Sequence, residues 1–244
     1  MGPVHFIIGA AGGIGSALAR EFARESEVRL VLAGRDAARL DELAREVGGT
    51  TKVLDATRGE ELDAALRSTV EEFGAIDGLV NCAGSILLKP AHRTSDDEWR
   101  ATLSANLDTA FATVRAGTQA MMRRGGSIVL MSSAAAGVGL PNHEAIAAAK
   151  AGVEGLVRAA AASYAGRGIR VNAVAPGLVR TPLSAAITAS EASEKASIAM
   201  HPAGRLGEPE DVARTIAFLL DPAHSWMTGE VVRVDGGLAS VRGR

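Results

Sequence analysis

Val4-His-Phe-Ile-Ile-Gly-Ala-Ala-Gly-Gly-Ile-Gly15 reads as a buried β-strand running straight into a glycine-rich turn. Helical spacing begins at once behind it, at Ile14, Leu18 and Phe22. A strand, a glycine turn and a helix in that order aim backbone N–H groups and the positive helix end at one point, where a pyrophosphate would sit. Gly9, Ala11, Gly13, Ile14 and Gly15 are the expected contacts. Their Gly-x-x-x-Gly-x-Gly spacing departs from the common Gly-x-Gly-x-x-Gly fingerprint, so its meaning rests on the rest of the chain.

Outward from that turn, β-rich runs recur at 4–8, 29–33, 51–54, 78–81, 127–131, 170–175 and 231–234. Between them lie helical patterns, among them Leu40, Leu43 and Val47, then Leu62, Leu66, Val70 and Phe73. Regular alternation predicts an α/β chain: a Rossmann-type, doubly wound parallel sheet of about seven strands with helices on both faces and ligands beyond the carboxyl ends of the strands. No linker or repeat interrupts it, so residues 1–244 are expected to form a single dinucleotide-binding domain. The least patterned stretch, 183–207, is Ala/Ser-rich and reads as a lid over substrate, ahead of a helix at 209–220.

Composition narrows the function. A formal charge of -2 supplies no basic field for nucleic acid. The N-terminus lacks the basic region and long apolar core of a signal peptide, and no apolar run approaches membrane-spanning length. One cysteine, Cys82, and five scattered histidines give neither an internal disulfide nor a metal-ligand spacing. A cytoplasmic, metal-free protein acting on a small molecule is expected, without nucleic acid or membrane partners.

Five further segments stand in one order and spacing: Asn81-Cys-Ala-Gly84, Asn106 in Ala105-Asn-Leu107, Ser132-Ser133, Asn172-Ala-Val-Ala-Pro-Gly177, and Thr228-Gly229 leading to Val234-Asp-Gly-Gly237. With the glycine turn, they make the sequence resemble the short-chain dehydrogenases/reductases along essentially its whole length. The resemblance implies Asp55 and Ala56 beside an adenine, Asn81, Ala83 and Gly84 on the adenosine ribose side, and Pro176, Gly177, Val179 and Thr181 around a nicotinamide carboxamide. Ile8 and Cys82 depart from the family pattern, which has Thr and Asn there; Cys82 reads as a small buried apolar residue.

Cofactor choice is written at the end of the second strand, where an acidic residue would accept from the ribose 2′-OH of NAD. Gly34 stands where NAD-binding members of the family carry Asp, and Arg35 offers a donor fork suited to a 2′-phosphate. NADP(H) is expected ahead of NAD(H), although the family's second basic position, in the glycine turn, is Gly12. Asp36 reads as the N-cap of the next helix.

The family's catalytic group is Asn, Ser, Tyr and Lys. Asn106, Ser133 and Lys150 match three of these, and the resemblance puts Lys150 on the nicotinamide ribose. Ile146 stands at the tyrosine position, four residues before Lys150. The single tyrosine, Tyr164, lies fourteen residues beyond Lys150, roughly 21 Å along a helix. Loss of a general acid costs about 10²- to 10⁴-fold in rate. His143 is the nearest candidate substitute, in a helix start capped by Asn142, where the helix dipole favours a neutral hydrogen-bond donor.

The expected function is therefore an NADP(H)-dependent oxidoreductase acting on a small carbonyl, imine or activated C=C compound without the usual tyrosine. A non-catalytic or non-redox dinucleotide-binding protein is the alternative. The Ala- and Gly-rich segment 145–165 and the family resemblance point to a homotetramer.

Overall fold

The protein is described by a computed structural model covering residues 2–24 and 27–241. Seven strands, β1 (Val4–Ile8), β2 (Arg29–Gly34), β3 (Thr50–Val53), β4 (Gly78–Asn81), β5 (Gly126–Met131), β6 (Ile169–Pro176) and β7 (Val231–Val234), form one parallel sheet. Their order is β3-β2-β1-β4-β5-β6-β7. Parallel pairing requires a crossover between strands, and the helices supply it: α1 (Gly13–Ala23), α2 (Ala37–Val47), α3 (Gly59–Phe73), α4 (Asp96–Leu103), α5 (Thr109–Met121), α6 (Glu144–Tyr164), α7 (Glu191–Ala199) and α8 (Pro209–Leu220).

The period of two along β1 divides the core. Val4, Phe6 and Ile8 pack with α3, α5 and α6 on one face, and Ile7 packs with α1, α2 and α8 on the other. A sheet covered on both faces explains why the strands read as continuous apolar runs rather than alternating ones. His5 lies on the α1 side against Phe22, where burial lowers its pKa to about 4 in spite of Asp77.

Every strand ends at the same edge. Ile8 pairs with Ala33 on one side and Asn81 on the other, so the chain order reverses between β1 and β4. That reversal opens a crevice at the carboxyl edge, the place where such sheets bind ligands.

Two sequence expectations change here. The stretch 183–207 contains a 3₁₀ turn at Ala185–Thr188 and then α7, whose N-terminus is closed by reciprocal bonds between Ser190 and Ser193. Its small Ala and Ser residues make no apolar stripe, so the helix left no periodic signal. At the start of α6, His143 rather than Asn142 occupies the N-cap position, and its side chain makes no cap bond. Asn142 lies outside the helix in the left-handed region (φ 63°), and its carbonyl accepts from Lys89 N–H at 2.8 Å. No helix among the described residues is long and apolar enough to cross a membrane.

Candidate active site

The glycine turn is fixed from behind. Gly9 and Ala10 N–H both donate to Ala33 O, at 2.8 and 3.1 Å, tying the turn to β2. Gly9 has φ +75°, and a Cβ there would stand 2.8 Å from Ala83 N; a Cβ on Gly13 would stand 2.7 Å from Thr181 Cγ2. Side chains at either position would fill the space between the turns that follow β1, β4 and β6. Gly12 holds the N-cap position of α1 in extended backbone with no side-chain cap, so the N–H groups of Gly13, Ile14 and Gly15 open the helix toward the crevice. Ala11 O is already engaged, accepting from Arg39 Nη2 at 2.7 Å.

Asn81 is not presented to the crevice. It is buried, with Nδ2 donating to Thr113 Oγ1 at 3.0 Å and Oδ1 accepting from Ala83 N–H at 2.9 Å. Its side chain therefore braces the turn, and the backbone of Ala83 and Gly84 forms the surface. At the neighbouring edge, Arg35 is exposed at the end of β2 and Asp36 caps α2 through Arg39 N–H. Asp55 accepts from the N–H and hydroxyl of Thr57; those bonds hold its carboxyl below the usual range, with the Arg35 and Arg58 cations adding to the effect. Ala56 beside it is buried in the core.

The loop after β6 is held by two residues that sequence reasoning passed over. Ser184 is buried, accepting from Thr181 N–H at 3.1 Å and donating to Val179 O. His201, also buried, donates through Nδ1 to Ser197 O at 2.7 Å and accepts at Nε2 from Leu178 N–H at 3.1 Å. It thus joins the end of α7 to the loop holding Pro176, Gly177, Val179 and Thr181. Val179 turns its side chain into the core, and its neighbours Leu178 and Arg180 exchange backbone bonds with Gly207.

The third cluster lies beyond β4 and β5. A π-helical turn, Ser104–Asp108, links α4 to α5 and carries Asn106, which is 2% exposed. Its Nδ2 donates to Thr102 O at 2.9 Å and Ser85 Oγ at 3.0 Å, and its Oδ1 accepts from Ser85 N–H at 3.3 Å. Ser133 Oγ accepts from Ala135 N–H at 3.2 Å, which leaves the hydroxyl hydrogen free to donate. Ser132 instead donates to Glu154 Oε1 at 2.9 Å. Lys150, 7% exposed, donates through Nζ to Met131 O at 2.8 Å, and burial pushes its pKa down to about 8. Desolvation pushes the Cys82 thiol up to about 12, so it stays a neutral group beside the ammonium.

Ile146, 5% exposed, lies one helical turn before Lys150 in α6. Tyr164 is the last residue of that helix. His143 does not meet its expectation as a neutral donor. Its Nδ1 lies 2.8 Å from Pro141 O, a carbonyl that can only accept, so the ring hydrogen is spent there and the neutral ring offers a bare Nε2.

A family model described as Enoyl-(Acyl carrier protein) reductase matches residues 9–239. A 3-oxoacyl-(acyl-carrier-protein) reductase of Thermotoga maritima is 37% identical over 244 residues, covering 97% of this chain and 98% of that protein. A solved short-chain type dehydrogenase/reductase from Mycobacterium ulcerans aligns at TM-score 0.93 and 31% identity, over 99% of this chain and 91% of that one. The chain belongs to the short-chain dehydrogenase/reductase family. A structure of ElxO with NADP bound aligns at TM-score 0.92 and 30% identity, over 99% of this chain and all of that one (100%).

This short-chain dehydrogenase/reductase is an oxidoreductase with a nicotinamide dinucleotide cofactor, and its residues fit that group. Glycine at 9 and 13 lets the turns after β1, β4 and β6 pack closely, and the N-terminus of α1, with no side-chain cap, leaves its N–H groups for a pyrophosphate. A nicotinamide cofactor, when bound, supplies or accepts hydride. The chain's own groups can hold the reacting oxygen or nitrogen through the Ser133 hydroxyl and place positive charge nearby through Lys150.

Proposed function

We propose that the protein is an NADP(H)-dependent oxidoreductase that acts on a small organic carbonyl, imine or activated C=C compound without a tyrosine acid. The observation that carries this reading is the cluster itself: Asn106 and Lys150 are buried, Ser133 is half-buried, and all three are held by hydrogen bonds, beside a helix whose position 146 is an apolar, buried isoleucine. Gly34 and the exposed Arg35 support NADP(H) over NAD(H), since a guanidinium pairs with a 2′-phosphate and no carboxylate stands at position 34 to bind a free 2′-OH.

Proton supply favours substrates that need least help. When hydride adds to a ketone carbon, the electron pair of the C=O bond moves to oxygen, which must then take a proton. A protonated imine accepts hydride at carbon while the C=N pair neutralises the nitrogen, and no further proton is required. Ser133 would orient the heteroatom in either case, with Lys150 and Asn106 holding the surrounding geometry. His143, with its ring hydrogen held by Pro141, is proposed as an acceptor at the mouth of the site rather than the acid.

Single-turnover oxidation of bound NADPH against a panel of ketones, imines and enones tests this. Oxidation by an imine or enone at a rate well above that of matched ketones is expected. Tight NADPH binding with no turnover on any class would favour a binding-only role, a reading that its similarity to a named reductase disfavours.

The site is further proposed to work in a cytoplasmic homotetramer, as one domain with the segment 183–207 acting as lid. Ala148, Ala151, Gly155, Ala159 and Ala162 form an exposed stripe of small residues on α6, which permits close approach of another helix. Sedimentation at micromolar concentration should give four times the chain mass; a monomer would refute it.

A further inference from the structure

Arg39 lies in the first turn of α2, and its guanidinium leaves that helix for the glycine turn. Nη2 donates to Ala11 O at 2.7 Å across 28 residues of sequence, while the backbone N–H of Arg39 is fixed by Asp36 Oδ1 at 3.1 Å. The cation is therefore anchored at both ends, although its side chain is exposed. A guanidinium has five N–H groups. Among the described residues, Ala11 O is the sole partner of this one, so four carry no protein partner.

Its neighbours define what those donors meet. Gly12, next to Ala11, presents no side chain, and the open N-terminus of α1 begins at Gly13. Arg35 stands four residues earlier in the chain, directly after β2, and its charge helps hold the Asp55 carboxyl below the usual range. Asp55 is already satisfied by Thr57, so it does not draw Arg39 away. Two arginines thus stand by the glycine turn: Arg35, the residue after β2, and Arg39, bonded to Ala11 O.

We propose that Arg39 is a second 2′-phosphate-binding cation, brought by α2 to the part of the glycine turn where Gly12 offers no side chain. The assignment rests on the NADP(H) reading above and extends it from one arginine to a pair. A phosphate carrying nearly two charges is bound by planar donor forks from two directions, and the anchor on Ala11 O holds one fork in place before the ligand arrives.

The test compares dissociation constants of NADPH and NADH, by calorimetry, for the parent protein, Arg39→Gln, Arg39→Lys and Arg35→Ala. Adenosine 2′,5′-bisphosphate and AMP serve as probes that carry no nicotinamide. Arg39→Gln is expected to weaken NADPH and the bisphosphate by about tenfold while changing NADH and AMP less than about twofold. Arg39→Lys, which keeps the charge and loses the fork, should fall between the parent and Gln. Equal weakening of NADPH and NADH would mean that Arg39 only braces the turn, and would overturn the proposal. So would a parent that prefers NADPH and an Arg39→Gln variant that keeps the full preference, an outcome that leaves the NADP(H) reading standing on Arg35. A parent that binds both cofactors equally would remove the NADP(H) reading and Arg39 with it. Melting temperatures measured beside each affinity separate lost folding from lost binding.

Discussion

The glycine turn after β1 and the hydroxyl and ammonium groups after β5 open on one edge of one sheet, yet the first is built of backbone and the second of side chains. Around β1, recognition depends on N–H groups and on the absence of Cβ atoms, so Ile8 and Gly12 can depart from the family pattern without closing the cradle. Around β5, each function belongs to one side chain. On the proposed reading, Ile146 in place of a phenol removes a reaction step, while the isoleucine itself is buried. A backbone site tolerates changed side chains and no added atoms; a side-chain site tolerates changed atoms at the cost of its chemistry.

The sharpest way to break that contrast is to add one atom to the backbone site. Gly9→Ala puts a Cβ 2.8 Å from Ala83 N at a φ of +75°, and should lower stability by about 3 kcal/mol through strain and overpacking together. Denaturant unfolding measures it, and an unchanged midpoint would show that the β1 and β4 turns can separate freely.

Removing a group from the side-chain site should do the opposite to stability. Burial depresses the Lys150 pKa from 10.5 to about 8, so below pH 8 the folded chain carries an ammonium that costs on the order of 3 kcal/mol. Between pH 8 and 10.5 the unfolded chain holds more protons than the folded one, so stability rises with pH and the cost disappears above that range. Lys150→Met also loses the bond to Met131 O, worth about 1 kcal/mol, and should therefore raise apo stability by about 2 kcal/mol at pH 7 and by less at pH 10. Its turnover should fall to background. Melts at the two pH values decide it; equal destabilisation at both would contradict the buried-charge account.

The smallest effect is expected at His143. Its Nδ1–H is committed to Pro141 O, so His143→Ala should change turnover by less than about threefold, well below the usual worth of a general acid. A loss of a hundredfold would restore His143 as the proton source.

The same contrast explains what could be read from the sequence. All seven strands, the glycine turn and the Asp36 cap are local or periodic features, and they appear within a residue or two of where the sequence puts them. Asn106, Ser133 and Lys150 were singled out by the family resemblance, and their roles stand as proposals. Ser184, His201 and Arg39 were not singled out, because each acquires its meaning from a partner that only the fold brings near: Thr181, Leu178 and Ala11 respectively. The inward turn of Asn81 and the spent hydrogen of His143 are likewise matters of side-chain direction, which residue type alone does not carry.

The central claim is that the catalytic cluster is complete except for a phenol at position 146, and Ile146→Tyr tests it directly. On the proposed arrangement, with Lys150 one helical turn further along α6 and Ser133 facing the same space, the new hydroxyl would gain an acidifying cation and a partner in holding the substrate oxygen. NADPH-dependent reduction of simple ketones, followed as kcat/KM, should rise by at least about tenfold, equivalent to about 1.4 kcal/mol of transition-state stabilisation. NADPH affinity and melting temperature must stay near the parent's, since tyrosine is bulkier than isoleucine in this buried first turn. Unchanged affinity and stability with no gain in ketone reduction would contradict the account.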